Sequence, residues 1–185
     1  MGNDAQGQTE VRSDEELWDA YCAGDEQALR ALVGRYRDDV YWYLLLSTGR
    51  PDEAARHCIQ TWVLAARHAR PVEGFGSFRA WLFAVATQNT VPPTHPETFG
   101  LSDLVAEVRR GPPDSDRGRM MTRLIEMHRR LRQPLLLVTI GGLDVENAAQ
   151  ACNYTVERTV RALERACRML ARSGLCEPQE GADEL

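Results

Sequence analysis

The 185-residue sequence contains no lysine, so all 22 of its basic residues are arginines. Arginine suits bidentate contacts to phosphates and base edges, although a GC-rich genome, which favours arginine codons, explains the bias better. No apolar run reaches the roughly 18 residues of a transmembrane helix, so we expect no membrane partner. Residues 1–16 are polar and acidic and resemble neither a signal nor a transit peptide, which favours a cytoplasmic protein.

The sequence also lacks the patterns that bind metals or perform bond chemistry. Its five cysteines are odd in number and form no C-x-x-C pair, so we expect reduced thiols on core faces rather than disulfides or zinc ligands. There is no glycine-rich phosphate loop and no nucleophile motif. His68 and His128 stand among arginines, which favours surface positions over general bases. An enzyme or a small-molecule sensor is therefore the least supported alternative, and we expect no cofactor and no metal.

Charge is distributed unevenly along the chain, whose formal net charge is −5. Residues 1–26 carry eight acids and one arginine, and residues 173–185 carry four acids and no arginine. Residues 27–172 carry 15 acids and 21 arginines, so the central part is basic. The net charge consequently does not exclude a nucleic-acid partner, and the acidic ends are expected to screen the basic part.

Strand-forming stretches are almost absent, and prolines and glycines divide the chain into two helical halves. Residues 92–117 hold five prolines and have the composition of a linker, in which the amphipathic piece Leu101–Val108 is expected to form a short helix. The expected division is an acidic tail at 1–12, a helical domain at 13–91, the linker at 92–117, a second helical domain at 118–173 and an acidic tail at 174–185.

Four amphipathic helices are expected in the N-terminal half. They cover Asp14–Cys22, Asp25–Leu46, Pro51–Arg67 and a segment that follows Ser77 as its N-cap. The buried stripe predicted for the third helix consists of Ala55, Cys58, Ile59, Trp62 and Ala66. Trp62 and Trp81 are interpreted as core residues in preference to platforms on which bases stack.

The stretch Leu143–Leu170 has the sequence form of a helix-turn-helix. Asp144 and Thr155 are suitable N-caps for its two helices, and Asn153 tolerates the left-handed conformation that a sharp turn requires. The apolar stripe predicted for the second helix is Val156, Val160, Leu163, Cys167 and Leu170. Another face carries Arg158, Arg161, Arg165, Arg168 and Arg172. A helix-turn-helix places its second helix in the major groove of DNA, and the alternative is a helical hairpin with a solvated basic face.

The order of these segments resembles the extracytoplasmic-function (ECF) sigma factors, small bacterial initiation factors of the sigma-70 family. The resemblance spans roughly residues 13–172. In the N-terminal half it rests on the apolar pattern between Ala28 and Tyr41, on Gln60-Thr61-Trp62 and on the run Gly76–Leu82. In the C-terminal half it rests on Leu135–Leu137, Gly142-Leu143, Glu146–Ala149, Thr155-Val156, Leu163 and Arg165-Ala166.

The resemblance implies an all-α fold with two small helical domains, a sigma region 2-like bundle and a sigma region 4-like helix-turn-helix, joined by a flexible linker. It implies promoter-specific transcription initiation, with core RNA polymerase (through its β′ clamp) and promoter DNA as partners. An anti-sigma factor or a Ser/Thr kinase is a further candidate partner.

The resemblance also assigns roles to individual residues. Those assigned to DNA binding are Thr155, Glu157, Arg158, Arg161, Arg165 and Arg168. Those assigned to polymerase binding are Tyr36, Tyr41, Glu53, Arg56 and Gln60. Those assigned to promoter melting are Phe75, Arg79, Thr87 and Gln88.

The sequence departs from the family where polymerase is expected to bind. Glu53-Ala54-Ala55-Arg56 replaces an acid-rich run, and like charges facing each other across an interface cost several kcal/mol. A sigma-like DNA-binding regulator that does not recruit polymerase is therefore the alternative function. Phosphorylation of Thr48 or Thr61 is a hypothesis for how the missing negative charge is supplied.

Overall fold

The computed structural model describes residues 12–67, 74–90 and 116–172. Within these ranges all regular secondary structure is helical, which confirms the all-α prediction. The helices are α1 (Asp14–Cys22), α2 (Glu26–Thr48), α3 (Pro51–Arg67), α4 (Phe78–Asn89), α5 (Asp116–Glu126), α6 (Arg129–Thr139), α7 (Val145–Cys152) and α8 (Val156–Ala171). None of these helices is long and apolar enough to cross a membrane. The predicted linker helix Leu101–Val108 lies outside the described residues.

Side-chain caps set the start of several helices, and three of these caps, Ser77, Asp144 and Thr155, are as predicted. At α1 the Ser13 hydroxyl accepts a hydrogen bond from the backbone N–H of Glu16 at 3.1 Å, and the Glu16 carboxylate accepts one from the backbone N–H of Ser13 at 2.7 Å. Ser77, Asp144 and Thr155 cap α4, α7 and α8 with their side-chain oxygens. A cap of this kind stabilises a helix by about 1 kcal/mol.

Helices from both halves of the chain contribute to one hydrophobic core. α2 packs against α1, α3 and α6, and α4 packs against α3 and α7. Leu136, Leu137 and Ala148 of the C-terminal half are buried in the same cluster as Trp18 and Leu82 of the N-terminal half. A second, smaller cluster holds α8 through Met127, Leu135, Ala166 and Leu170. α8 therefore lies at the periphery, attached through α6 and α7.

Arg79 of α4 joins the two halves at the C-terminal end of α6. Its guanidinium donates to the backbone carbonyls of Gly141 and Ile140, the latter at 3.3 Å, and forms an ion pair with Asp39 at 3.2 Å. A Cβ on Gly142 would lie 3.3 Å from this guanidinium, so a glycine there leaves room for it. The last carbonyls of a helix lack intrahelical partners, and a cation satisfies both their hydrogen bonds and the helix dipole.

Two further polar side chains cross the same junction. Arg132 of α6 donates to the carbonyl of Ser47 near the end of α2 at 2.9 Å, and burial lowers the pKa of this arginine. Gln150 of α7 donates to the carbonyl of Gly74 at 2.7 Å. The junction thus combines an apolar core with hydrogen bonds to backbone carbonyls.

The buried stripe predicted for α3 is only partly correct: Cys58 and Trp62 are half-buried and pack against the core, but Ala55 and Ile59 do not. Its buried residues are Ala54, Thr61 and Ala65, whereas Ile59 is 69% exposed and Ala55 is also exposed. Small side chains allow α3 to lie close to α2 and α4, and a larger side chain such as isoleucine at those positions would hold the helices apart.

The cysteines are less buried than predicted. Cys22 and Cys167 are exposed, Cys58 and Cys152 are half-buried, and none of these four forms a disulfide. Cys22 ends α1, and Cys167 lies on an outward face of α8. Burial raises the pKa of Cys152 to about 12. Cys176 lies outside the described residues.

Candidate nucleic-acid interface

α7 and α8 form the helix-turn-helix that the sequence predicts. Asn153 has φ 55° and ψ 47°, which is the left-handed conformation expected of it. Behind the turn, the backbone N–H of Tyr154 donates to the carbonyl of Ala149 at 2.9 Å. Ala148 and Ala149 are buried, as close contact of the two helices requires. The local sequence therefore sets the angle at which α8 leaves the turn.

The arginines of α8 lie on its outward face. Arg158, Arg161, Arg165 and Arg168 are all exposed, and none of them forms an ion pair with another residue in the part of the chain that the structure describes. Their spacing of three or four residues places them in one row along about three helical turns. The row is a concentration of positive charge suited to phosphates and base edges.

Tyr154 supports the first arginine of this row. The guanidinium carbon of Arg158 lies 3.9 Å from the centroid of the Tyr154 ring. Such a cation–π contact restricts the arginine side chain while its donors stay in solvent. The sequence reasoning missed this residue, although an aromatic side chain four residues before an arginine at the start of a helix is a detectable signal.

Thr155 and Glu157 define the polar N-terminal end of α8. The Thr155 hydroxyl accepts from the backbone N–H of Arg158 at 3.2 Å and caps the helix. Hydrogen bonds from its own backbone N–H and from the Thr155 hydroxyl, together with the nearby Arg161, hold the pKa of the Glu157 carboxyl below its ordinary value. Glu157 adds an exposed carboxyl group to the first turn of α8.

The apolar stripe predicted for α8 is wrong at Val156, Val160 and Cys167, which are all exposed. The buried residues are Thr159, Ala162, Ala166 and Leu170. Val156 and Val160, predicted to be buried, are 41% and 39% exposed. The same physical reason applies as in α3: small residues face the neighbouring helices, and the valines are left outside.

Tyr36 is a core residue, which contradicts its assignment to polymerase binding. It is 6% exposed and donates its hydroxyl to the carboxylate of Asp14, which also pairs with Arg35 at 2.6 Å. Burial, followed by this hydrogen bond, raises the pKa of Tyr36 well above its ordinary value. A residue enclosed in this way has no surface to offer a partner.

The other residues assigned to polymerase binding keep some exposure. Tyr41 is half-buried, and Arg56 and Gln60 are exposed on the outer face of α3. Glu53 is half-buried and pairs with Arg50 at 3.3 Å. This ion pair offsets the negative charge of Glu53 that would attract a basic surface of polymerase. This face of α3 also exposes Ile59 and is therefore apolar and weakly basic rather than acidic.

The residues assigned to promoter melting do not form one surface. Thr87 is 4% exposed; its hydroxyl bonds to Tyr43 at 2.7 Å and donates to the Phe83 carbonyl, so its assignment is wrong. Arg79 is engaged at the junction with α6 as described above. Phe75 is half-buried, and Gln88 is exposed. Trp62 and Trp81 pack against the core as predicted.

Thr61 is buried, which contradicts its assignment as a phosphorylation site. It is 0% exposed, its hydroxyl donates to the His57 carbonyl at 2.8 Å, and the Asn89 amide donates to it at 3.3 Å. A kinase has no access to such a hydroxyl in the folded protein. Thr48 is half-buried at the end of α2, where its hydroxyl donates to the Leu44 carbonyl at 2.9 Å, and its phosphorylation stays a prediction.

Comparisons with known proteins bear on the fold. No protein-family model matches the chain, and no curated protein matches it in sequence. Among solved structures it is similar to CnrH, an ECF sigma factor solved in complex with the cytosolic domain of CnrY. The identity is 20%, the TM-score is 0.65, and the match covers 86% of this chain and 96% of the CnrH chain. The chain thus shares the all-helical fold of CnrH.

Proposed function

We propose that this protein is a DNA-binding sigma factor of the ECF type that directs promoter-specific transcription initiation. The observation that carries the proposal is the exposed arginine row of α8 on the second helix of a helix-turn-helix, within an ECF sigma-like fold. A protein of this kind performs no bond chemistry; it contributes binding energy and positions polymerase on the promoter.

In the proposed mechanism α8 enters the major groove of the upstream promoter element. Arg158 and Arg161 near its N-terminal end contact base edges, while Arg165 and Arg168 contact phosphates. α7 and the Asn153 turn hold the angle of α8. The outer faces of α2 and α3, with Tyr41, Glu53, Arg56 and Gln60, are proposed to contact the β′ clamp of core polymerase in the cytoplasm. CnrH was solved with the cytosolic domain of CnrY, an anti-sigma factor, and we therefore propose an anti-sigma factor as a further partner.

A sigma-like regulator that binds DNA without polymerase is the second candidate. It is favoured by the outer face of α3, where Arg56, Ile59, Gln60 and Val63 are exposed and no acid stands among them. A basic surface on polymerase would meet an arginine here, and such an arrangement opposes binding.

Three measurements on the full chain distinguish these functions: affinity for duplex DNA, retention of core RNA polymerase, and transcription from the region upstream of its own gene. A sigma factor is expected to give all three. Binding to DNA without retention of polymerase supports the regulator, and the absence of both rejects the two candidates together.

The role of α8 is tested by the double variant Arg158→Ala, Arg161→Ala. It is expected to reduce promoter binding at least tenfold, because each arginine that reads a base edge contributes about 1–3 kcal/mol. The matched control is Arg37→Ala, which removes an exposed arginine of α2 that pairs with its neighbour Asp38. If the double variant binds as the control does, α8 is not the DNA-reading helix.

A further inference from the structure

We infer that Val156 and Val160 are specificity residues that contact the C5-methyl groups of thymines in the promoter's upstream element. The inference deepens the proposed function and rests on α8 being the DNA-reading helix. It assigns a role to two side chains that the fold itself does not use.

The two valines lie outside both hydrophobic clusters of the described residues. Their exposed fractions are 41% and 39%, whereas Thr159, Ala162 and Ala166 on the same helix are buried. β-Branched residues also lower helix propensity, since the preceding turn restricts their χ1 angle. An exposed helical position therefore gains neither packing nor propensity from valine, which points to a contact outside the chain.

Their position places them beside hydrogen-bonding side chains. Val156 and Val160 are four residues apart and share one face over the first two turns of α8. Glu157 and Arg161 follow each valine by one residue and form a parallel row, close enough for Arg161 to help lower the pKa of Glu157. The N-terminal part of α8 thus presents an apolar row next to a row that can donate and accept hydrogen bonds.

The positive charge of α8 indicates which class of partner the two valines contact. Arg158, Arg161, Arg165 and Arg168 continue along the exposed side of the helix and favour a polyanion. In the major groove of DNA the thymine C5-methyl is the apolar group presented among the acceptors and donors of the base edges. We therefore expect the valines to contact the methyl group of a thymine, while the neighbouring arginine donates hydrogen bonds to an adjacent base pair.

The test starts with selection of preferred sites from a random duplex library by the full chain. Deoxyuridine, which lacks the methyl group, then replaces each thymine of the selected duplex in turn. For wild type at least one replacement is expected to weaken binding about fourfold, the effect of failing to bury one methyl group (~0.8 kcal/mol). Val156→Ala or Val160→Ala is expected to weaken binding to the thymine duplex by a similar factor and to abolish sensitivity to that deoxyuridine.

Val63→Ala is the matched control, because it truncates a valine of α3 that is 41% exposed. It is expected to leave the deoxyuridine effect at its wild-type size. All three variants place alanine, the better helix former, at an exposed position, so loss of folding is not expected.

The inference is overturned if wild type selects a site but no deoxyuridine replacement matters, or if the replacement acts equally in wild type and the Val156 and Val160 variants. In either case the proposed DNA-binding function still stands. Failure to select any duplex overturns both. Binding to phosphatidylglycerol vesicles that depends on the valines, with no methyl effect on DNA, would assign the valines to a membrane surface instead.

Discussion

At the scale of single residues, Gly34 and Gly141 have opposite surroundings. A Cβ on Gly34 in α2 would meet nothing within 4 Å, whereas a Cβ on Gly141 would lie 2.4 Å from the Leu137 carbonyl oxygen. Gly34→Ala is expected to raise the free energy of unfolding by about 0.5–1 kcal/mol, because alanine loses less conformational entropy in a helix. Gly141→Ala is expected to lower it by about 1–3 kcal/mol through steric overlap. Urea unfolding measures both, and shifts of the same sign would contradict the packing described for the end of α6.

The buried hydroxyl group of Tyr43 is expected to make the protein less stable at alkaline pH. It is fully buried, and burial raises its pKa from 10.0 to about 12. Thr87 donates its only hydroxyl proton to the Phe83 carbonyl, so Tyr43 donates to the Thr87 oxygen and needs its own proton. The folded state then holds this proton more tightly than the unfolded state does. The resulting stability is complete below about pH 10 and is lost as the pH rises towards 12.

Tyr43→Phe is accordingly expected to flatten the decline of the unfolding free energy between pH 10 and pH 12, even if it lowers stability at pH 7. Urea unfolding at several pH values measures the slope. An unchanged slope in the variant would mean that other groups control the alkaline transition.

At the scale of elements, Arg79 is expected to hold α4 against the C-terminal half. Arg79→Ala removes the donor for the carbonyls of Ile140 and Gly141, and partly buried acceptors without partners cost about 1–3 kcal/mol. The control Arg37→Ala breaks an ion pair whose side chains are 67% and 79% exposed, and a change within about 0.5 kcal/mol is expected. Denaturant unfolding compares the two, and equal effects would contradict a structural role for Arg79.

The arginine row of α8 predicts how DNA affinity depends on salt. Each phosphate contact adds about 0.9 to the slope of log affinity against log salt concentration. Arg165→Gln and Arg168→Gln are each expected to lower this slope by about 1, with similar effects on all sequences. Fluorescence anisotropy at several salt concentrations measures the slope, and Arg37→Gln should leave it unchanged. Slopes that do not change in the α8 variants would place these arginines away from the phosphates.

At the scale of the whole molecule, a charge change on α3 can test whether the protein binds core polymerase. If the outer face of α3 meets a basic surface of polymerase, Arg56→Asp is expected to raise the affinity for core polymerase about tenfold or more, because it replaces a repulsive charge with an attractive one. Arg130→Asp changes the net charge equally at an exposed position on α6 and serves as the control. A titration of core polymerase measures both. Equal gains would indicate a general charge effect, and no gain in either would favour the regulator.

Much of the architecture followed from local sequence. The caps Ser77, Asp144 and Thr155 and the left-handed Asn153 act on backbone groups within a few residues, so their effects can be predicted without knowledge of the fold. The helix-turn-helix and its exposed arginines were predictable for the same reason. Their role in DNA binding stays a prediction.

The buried faces of α3 and α8 were not predictable in this way. Hydrophobicity favours Ile59, Val156 and Val160 over alanine and threonine, yet burial depends on the distance between neighbouring helices, which the pattern of one helix does not contain. Thr61 and Thr87 are buried because they fit the narrow gaps between neighbouring helices. Each hydroxyl donates to the carbonyl four residues earlier in its own helix, so its polar atom has a partner there.

The sequence by itself determined that the chain is helical, where most of its helices begin and that α8 carries a row of arginines, because propensity, capping and spacing are local properties. Only the tertiary structure decided which of the apolar and uncharged residues face outwards. It placed Tyr36, Thr61 and Thr87 inside, turned Arg79 towards the end of α6 and left the two valines of α8 in solvent. These outcomes depend on contacts between helices that are distant in sequence. At such contacts the available space and the presence of carbonyls without partners, and not hydrophobicity alone, determine which side chain is buried.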